Sequence, residues 1–322
     1  MPVPRPPGNA LTKIVRRGDF MKDTVLTFEL DVSSPLEISA LCSAHVPRFV
    51  EAAHERGADA VILDLEDSVP QDQKGESRRR LSASVAKVGR RGSYVLIRVN
   101  HGLRALAADL NAAVMAGVDA LVLPKTDSAA WVSEIANAVI GTRTRKKSCA
   151  GSNPVLCSDR DPGSIAKFSA IASAHPRMVA MALGPEDFSA SVGGAPELDL
   201  LLTPNLSVLF AARAAGLLPL GFIGSIGEFS DDDRVREAAT HARRLGFAGA
   251  LATHPAQVAI FNEAFSPNPQ ELEWARRVLA AEKDATAQGR SAFAMDGKMV
   301  DPPVLRRARE ITAADSGAKL AV

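Results

Sequence analysis

Short apolar runs recur along the chain, separated by segments with helical periodicity. Leu36–Cys42, Ala60–Leu65, Ser93–Val99, Asp119–Pro124, Pro154–Cys157, Met178–Leu183, Leu220–Ile226 and Gly249–Thr253 read as eight strands. Ala60–Leu63 (AVIL) and Leu121–Pro124 (LVLP) are continuously apolar rather than alternating, which suits strands covered on both faces of a parallel sheet. Between the runs, Pro47–Arg56, Lys74–Val88, Leu103–Ala116, Trp131–Ile140, Ile165–Ala174, Asn205–Ala215 and Asp232–Leu245 read as helices. The last has an acidic start, Ser230–Asp233, suited to capping and to the helix dipole. Eight strands alternating with helices over about 220 residues predict an α/β fold, a (β/α)8 TIM barrel. A doubly wound open sheet is the alternative, but it uses fewer strands, and no GxGxxG follows the first one here.

The barrel would span residues 36–265. Residues 1–35, Pro-rich at their start, read as an N-terminal arm. Residues 266–322 read as a C-terminal helical extension, with helices at Ser266–Asp284 and Val304–Ile311 joined by the loop GRSAFAMDGKMVDPP. GTRTRKKSCAGSN, near the middle, reads as a polar, basic loop, and no internal repeat is visible.

Composition narrows the function classes. Lys plus Arg number 38 against 37 Asp plus Glu, a formal net charge of +1. That balance argues against nucleic-acid or membrane-surface binding driven by bulk charge. Aromatic residues are 5%, too sparse for base-stacking platforms. Cys42, Cys149 and Cys157 are too few and too irregular for a disulfide framework or zinc site, and suit a reducing cytoplasm. No apolar run approaches the roughly 20 residues that span a bilayer. The start has basic residues without an apolar core behind them, unlike a secretory signal. A small-molecule substrate is therefore expected.

The charged residues sit where a barrel would use them. Asp64 and Glu66 follow AVIL, Arg98 and Asn100 follow VLI, and Lys125 follows LVLP. Asp159, Arg160 and Asp161 follow VLCS, Glu186 and Asp187 follow MALGP, and His254 follows ALAT. In a barrel all these ends share the rim where active sites form. Asp64 and Glu66 lie on one face of their strand and need a cation, a metal-bound water or backbone donors as partners. Arg98 can bind a carboxylate through its bidentate fork. Asp187 and an acidic residue of the loop 158–163 can hold a hard divalent cation, with waters or substrate oxygens completing the octahedron. A metal beside an Arg suits a 2-oxo or 2-hydroxy acid and points to carbon–carbon bond making or breaking. Other features read as structural. Lys74 and Arg78, four apart, suit a solvated face or ion pairs to Asp64 or Asp67. Lys125 suits an ion-paired rim lysine better than a Schiff base, and His254 with Pro255 suits a first helical turn.

Several segments resemble the citrate lyase β-subunit-like group of the HpcH/HpaI aldolase/citrate lyase family. They are GADAVILDLEDSVP with the following KGESR, VLIRVN, AGVDALVLPKT, HPRMVAMALGPEDFSASVG, ARRLGFAGALATHPAQVAIFNEAF and DGKMVDPPVLRRA. They run in family order from Gly57 to Ile311. The resemblance implies a (β/α)8 barrel, a homotrimer, Mg2+, and a CoA thioester or citrate-derived ligand. It assigns Arg98 to the substrate carboxylate and Asp187 to the metal. Asp301, in MVDPP, takes the place of an acidic residue that reaches a neighbouring subunit's site. Two stretches depart from the family pattern: LCSAHVP replaces a Pro–Gly loop, and CSDRDPG stands where the family has Ile-Glu-Thr followed by Gly. Anchoring on Gly163 puts Asp159 at the metal-binding Glu position, whereas anchoring on Ile171 puts Arg160 there.

The expectation is a cytoplasmic, homo-oligomeric, Mg2+-dependent carbon–carbon lyase acting on a hydroxyacyl-CoA thioester of malyl-CoA or citryl-CoA type. Glu66 and Asp301 are the expected catalytic residues, Arg98 the substrate-binding one, and Asp159 and Asp187 the metal ligands. Two alternatives stay open: a CoA-independent aldolase on a 2-oxo acid such as pyruvate or oxaloacetate, and a barrel that binds a ligand without turnover.

Overall fold

A computed structural model describes residues 38–145, 153–159, 162–227 and 229–316. The N-terminal arm, the start of the first strand, most of the basic loop, and Arg160 and Asp161 lie outside the described residues. Eight parallel strands alternate with helices. In chain order they are β1 (Ile38–Ser43), α1 (Pro47–Ala53), β2 (Ala60–Asp64), α2 (Lys74–Val88), β3 (Tyr94–Arg98), α3 (Leu103–Ala116), β4 (Ala120–Pro124), α4 (Ala129–Arg145) and β5 (Asn153–Asp159). Then come α5 (Phe168–Ala172), β6 (Ala180–Leu183), α6 (Pro185–Val192), α7 (Leu198–Ala214), β7 (Leu218–Leu220), α8 (Asp232–Leu245), β8 (Ala250–Ala252) and α9 (Pro255–Phe265).

Consecutive strands pair from β1 to β7, and β8 pairs with β1. The last seam is made by Ala248 N–H donating to Pro219 O (2.9 Å) and Gly221 N–H to Gly249 O (2.8 Å). Gly221 has φ +150°, and a Cβ there would stand 3.2 Å from Asn205 Oδ1, so the seam closes at a residue without a side chain. The predicted (β/α)8 barrel is the fold.

Both strand faces are buried, as the unbroken apolar runs require. Ala60, Ile62, Leu96, Ala120, Val122 and Ala182 pack inside the barrel. Val61, Leu63, Ile97, Leu121 and Leu123 alternate with them and face the helices. Helix α8 begins with Asp231 accepting from Arg234 N–H (3.0 Å) and ends at Gly246 in the left-handed region, as its acidic start and trailing glycine predict.

The seventh strand differs from expectation. It is Leu218–Leu220, upstream of the anticipated Leu220–Ile226, whose two glycines belong to the following loop. Helix α7 begins at Leu198, before its predicted start at Asn205, and carries Pro204 in its interior. Beyond the barrel lie α10 (Pro269–Ala287), a hairpin of β9 (Phe293–Met295) and β10 (Lys298–Val300), and α11 (Pro302–Ser316). Ala275, Val278, Val300, Leu305, Ala308 and Ile311 form their own apolar cluster. Arg243 of α8 pairs with Glu271 of α10 at 2.8 Å. Among the described residues no helix is long and apolar enough to cross a membrane.

Candidate active site

The parallel register decides which charged residues meet. Asp64 and Arg98 are direct neighbours at the C-terminal ends of β2 and β3, in the set that points inward with Ile62 and Leu96. A fully buried carboxylate there requires a partner. Arg98 supplies it as a fork: Nε donates to Oδ1 and Nη2 to Oδ2, each at 2.7 Å. The backbone N–H groups of Glu66 (2.9 Å) and Ser68 (3.1 Å) complete the cradle. Burial pushes the Asp64 carboxyl up, but the Arg98 bonds and charge outweigh it and hold the group below its ordinary value. The Arg98 guanidinium, half-buried, is pushed down by burial and raised further by Asp64, so its charge is permanent. The fork uses the Nε edge, which leaves the Nη1 end of the guanidinium for a second oxyanion.

Glu66, 3% exposed, sits one turn of chain further on. Lys125 Nζ stands 2.7 Å from its Oε1, and Arg98 Nε 3.4 Å from its Oε2. Both are ion pairs by distance, but neither oxygen receives a well-directed hydrogen bond. Burial raises the Glu66 carboxyl, Asp67 raises it further, and the Lys125 and Arg98 charges pull it back only partly. A buried carboxylate poised above its usual range between two cations is suited to taking up and releasing a proton.

The backbone beneath Glu66 is held by a network whose partners differ from those expected for KGESR. Lys74 is buried, and its Nζ donates to Leu65 O (3.0 Å), Glu66 O (2.8 Å) and Asn100 Oδ1. Asn100 Nδ2 donates to Leu65 O (2.8 Å) and Asp109 Oδ2 (2.7 Å), and Arg78 Nε to Asp109 Oδ1 (2.6 Å). Lys74 and Arg78 therefore pair with neither Asp64 nor Asp67. They face inward because the turn after β2 leaves carbonyl oxygens that only a buried cation and an amide reach.

A cavity of about 100 Å³ opens at this end of the barrel. Arg98 and Asp187 line it, with Glu186, Thr253 and an apolar floor that includes Ile62, Val122 and Ala182. Glu186 and Asp187 lie in the first turn of α6, and Asp187 is exposed. A larger hollow, about 360 Å³, runs outside the barrel along α8 and shares only Phe222 with the rim cavity. The buried Cys42 thiol, pushed by burial and then by Asp64 up to about 12, carries no thiolate chemistry.

His254 and Gln257 are structural. His254 Nδ1 accepts from Ala256 N–H (3.3 Å) at the start of α9. Gln257 Oε1 accepts from Thr253 and His254 N–H, and its Nε2 reaches Ile226 O (3.1 Å), tying down the loop after β7.

The other expected site residues are placed differently. Asp159 ends β5, with register partner Leu183, while Ser158 pairs with Ala182; the side chains of this strand lie outside the description. Asp301 stands half-buried at the start of α11, where its Oδ1 accepts from Val304 N–H at 3.4 Å. Its described contacts stay within that helix and do not reach Arg98 or Glu66. Among the described residues no three His, Cys, Asp or Glu side chains gather as a metal cluster. Lys125 is the ion-paired rim lysine that the sequence suggests, here pairing with Glu66 and Asp67. The roles of Asn100 and Asp109 were not assigned by the sequence pattern, and that of Lys74 differs from the one expected. The positions of Asn100 and Lys125 after their strands were the visible signal.

A closed parallel barrel with a buried carboxylate–guanidinium pair and a poised Glu at its C-terminal mouth defines a (β/α)8-barrel protein whose candidate active site is that mouth. The pattern of the HpcH/HpaI aldolase/citrate lyase family matches residues 41–255. Citrate lyase subunit beta of Escherichia coli (strain K12) is 33% identical over 262 residues, covering 78% of this chain and 84% of that protein. L-malyl-CoA/beta-methylmalyl-CoA lyase of Rhodobacter capsulatus is 32% identical over 292 residues, covering 82% and 90%. CitE from Mycobacterium tuberculosis, solved with magnesium, acetoacetate and coenzyme A, superposes with a TM-score of 0.70 at 30% identity, covering 89% of this chain and 100% of that one. The chain belongs to the HpcH/HpaI aldolase/citrate lyase family, and it is a carbon–carbon lyase.

Proposed function

We propose that this protein cleaves, and in reverse forms, a hydroxyacyl-CoA thioester of malyl-CoA or citryl-CoA type, with Mg2+. The observation that carries the reading is Arg98, locked by Asp64 at the mouth of the barrel beside the poised Glu66. The free end of its guanidinium fits a substrate carboxylate bidentately. Glu66 takes the proton of the hydroxyl group. The bond from the hydroxyl-bearing carbon to the thioester α-carbon then breaks, giving a carbonyl, and the electron pair passes to the thioester enolate. A proton from Asp301 of a neighbouring subunit, carried in on the extension 266–322, quenches the α-carbon.

Magnesium needs only one or two protein carboxylates, with waters and substrate oxygens filling the octahedron, so Asp187 on the cavity wall together with Asp159 suits it without a larger cluster. Its charge would polarise the oxygens of the 2-hydroxy or 2-oxo acid. The relatives named as malyl-CoA and citrate lyases, and the CitE complex with magnesium and coenzyme A, support this ligand set. A homotrimer in the cytoplasm fits the cross-subunit role of Asp301.

Titration calorimetry separates this reading from a CoA-independent aldolase. The CoA ester should bind at least tenfold more tightly than the free acid in the presence of Mg2+. Equal affinities, or binding of the free acid alone, would remove CoA from the account.

A further inference from the structure

We propose that Lys125 is a positioning residue, held in a left-handed backbone conformation so that its ammonium clamps the Glu66 carboxylate in the orientation that exchanges the substrate's hydroxyl proton. This rests on Glu66 being the proton acceptor.

Two non-glycine residues among those described have positive φ, Lys125 (56°) and Asp296 (52°). Asp296 is explained by its place: with Gly297 it makes the two-residue turn between β9 and β10, where both central residues must be left-handed. Lys125 has no such hairpin. It follows Pro124, the end of β4, and precedes the buried Thr126, whose Oγ1 donates to Leu123 O at 3.1 Å and fastens the turn. A left-handed lysine is strained and persists where the surroundings hold it.

What holds it is the side chain. Nζ stands 2.7 Å from Glu66 Oε1 and 3.0 Å from Asp67 Oδ2, with only 17% of the lysine side chain exposed. The charged groups facing Glu66 are Arg98 from β3, Lys125 from the turn after β4, and Asp64 and Asp67 from its own segment. Lys74 reaches only the Glu66 carbonyl. Lys125 is thus the cation nearest the carboxylate, and it comes from a different strand end. Its turn is the strained one, as expected where conformation serves the site rather than the fold.

The test uses the full-length protein with Lys125→Met, Lys125→Ala, Lys125→Gly and Lys125→Arg, alone and with Glu66→Gln. In the Met variant kcat should fall about tenfold or more while KM for the CoA ester changes by less than about threefold. The acid limb of its kcat–pH profile should move to higher pH, because a cation favouring the ionised carboxylate is gone. Lys125→Arg should restore part of kcat. Lys125→Met with Glu66→Gln should be no slower than Glu66→Gln alone, since both changes act through one group. Independently of activity, Lys125→Gly should resist urea better than Lys125→Ala: both lose the ammonium, and only glycine relieves the strain. A Lys125→Met enzyme with wild-type kcat and pH limb, beside an inactive Glu66→Gln, would overturn the positioning role and leave the proton-acceptor reading intact. A fully active Glu66→Gln would overturn both. Additive losses in the double variant would show that Lys125 acts elsewhere.

Discussion

Replacing Arg98 should damage the fold as well as ligand binding, because the same guanidinium serves both. Asp64 is fully buried and takes two charge-assisted bonds from Arg98 at 2.7 Å. Arg98→Met leaves that carboxylate with two amide donors and no countercharge. Breaking a buried pair by removing one partner costs about 3–5 kcal/mol. Arg98→Lys keeps a charge but replaces the fork by a point donor, so one charge-assisted bond is lost, about 1.5–3 kcal/mol.

The pH dependence has a definite sign. In the wild type the depressed Asp64 carboxyl stabilises the fold above the unfolded value of about 3.9, and that contribution fades as pH falls through the folded value. In Arg98→Met, burial without the guanidinium instead drives the carboxyl up. The penalty is then greatest near neutral pH and shrinks on acidification, as the folded Asp64 takes up a proton and loses its buried charge. Urea unfolding at one fixed protein concentration, at pH 7.5 and again near pH 5, measures the two differences. A Met variant within about 1 kcal/mol of wild type at pH 7.5, with the same gap near pH 5, would refute the argument.

Three further outcomes are expected. Lys74→Met should lower stability by about 1–3 kcal/mol in urea, because the Leu65 and Glu66 carbonyls and the Asn100 amide lose their shared donor; a change below about 0.5 kcal/mol would make Lys74 a surface residue in energetic terms. Asp159→Glu should tighten Mg2+ in a calorimetric titration, since the side chain of Asp159 is one methylene short and Mg2+–oxygen distances are held near 2.0–2.1 Å; unchanged or weaker binding would remove Asp159 from the metal site. Mixing inactive Glu66→Gln and Asp301→Ala chains should regain activity through mixed oligomers with intact sites, and no recovery after verified subunit exchange would return Asp301 to its own chain or remove it from catalysis.

The barrel was readable because buried parallel strands leave unbroken apolar runs, and AVIL and LVLP lie inside β2 and β4. The rim followed from the same pattern: once strand ends are known, Asp64, Arg98 and Asp187 fall at one mouth. The partners were harder. Which carboxylate Arg98 takes depends on the β2–β3 register, which no single strand encodes. The inward turn of Lys74 depends on orphaned carbonyls in the segment after β2. GFIGSI, a longer run with two isoleucines and a phenylalanine, reads more strongly as a strand than LPL, but tertiary pairing with β6 selects the latter. The hairpin Phe293–Val300 lies in a stretch whose composition reads as loop, although its Asp296–Gly297 pair is a strong turn signal. Three-residue strands carry too little alternation to register by period alone.

The proposed activity is cleavage of the bond between the hydroxyl-bearing carbon and the thioester α-carbon. Purified protein incubated with malyl-CoA and Mg2+, with products followed by mass spectrometry, tests this directly. Glyoxylate and acetyl-CoA should form in equal amounts, be lost on EDTA treatment, be restored by Mg2+, and be abolished by Glu66→Gln. Free CoA with malate would mean that the thioester bond breaks instead. No turnover of malyl-CoA, β-methylmalyl-CoA or citryl-CoA at saturating Mg2+ would contradict the lyase reading of this site.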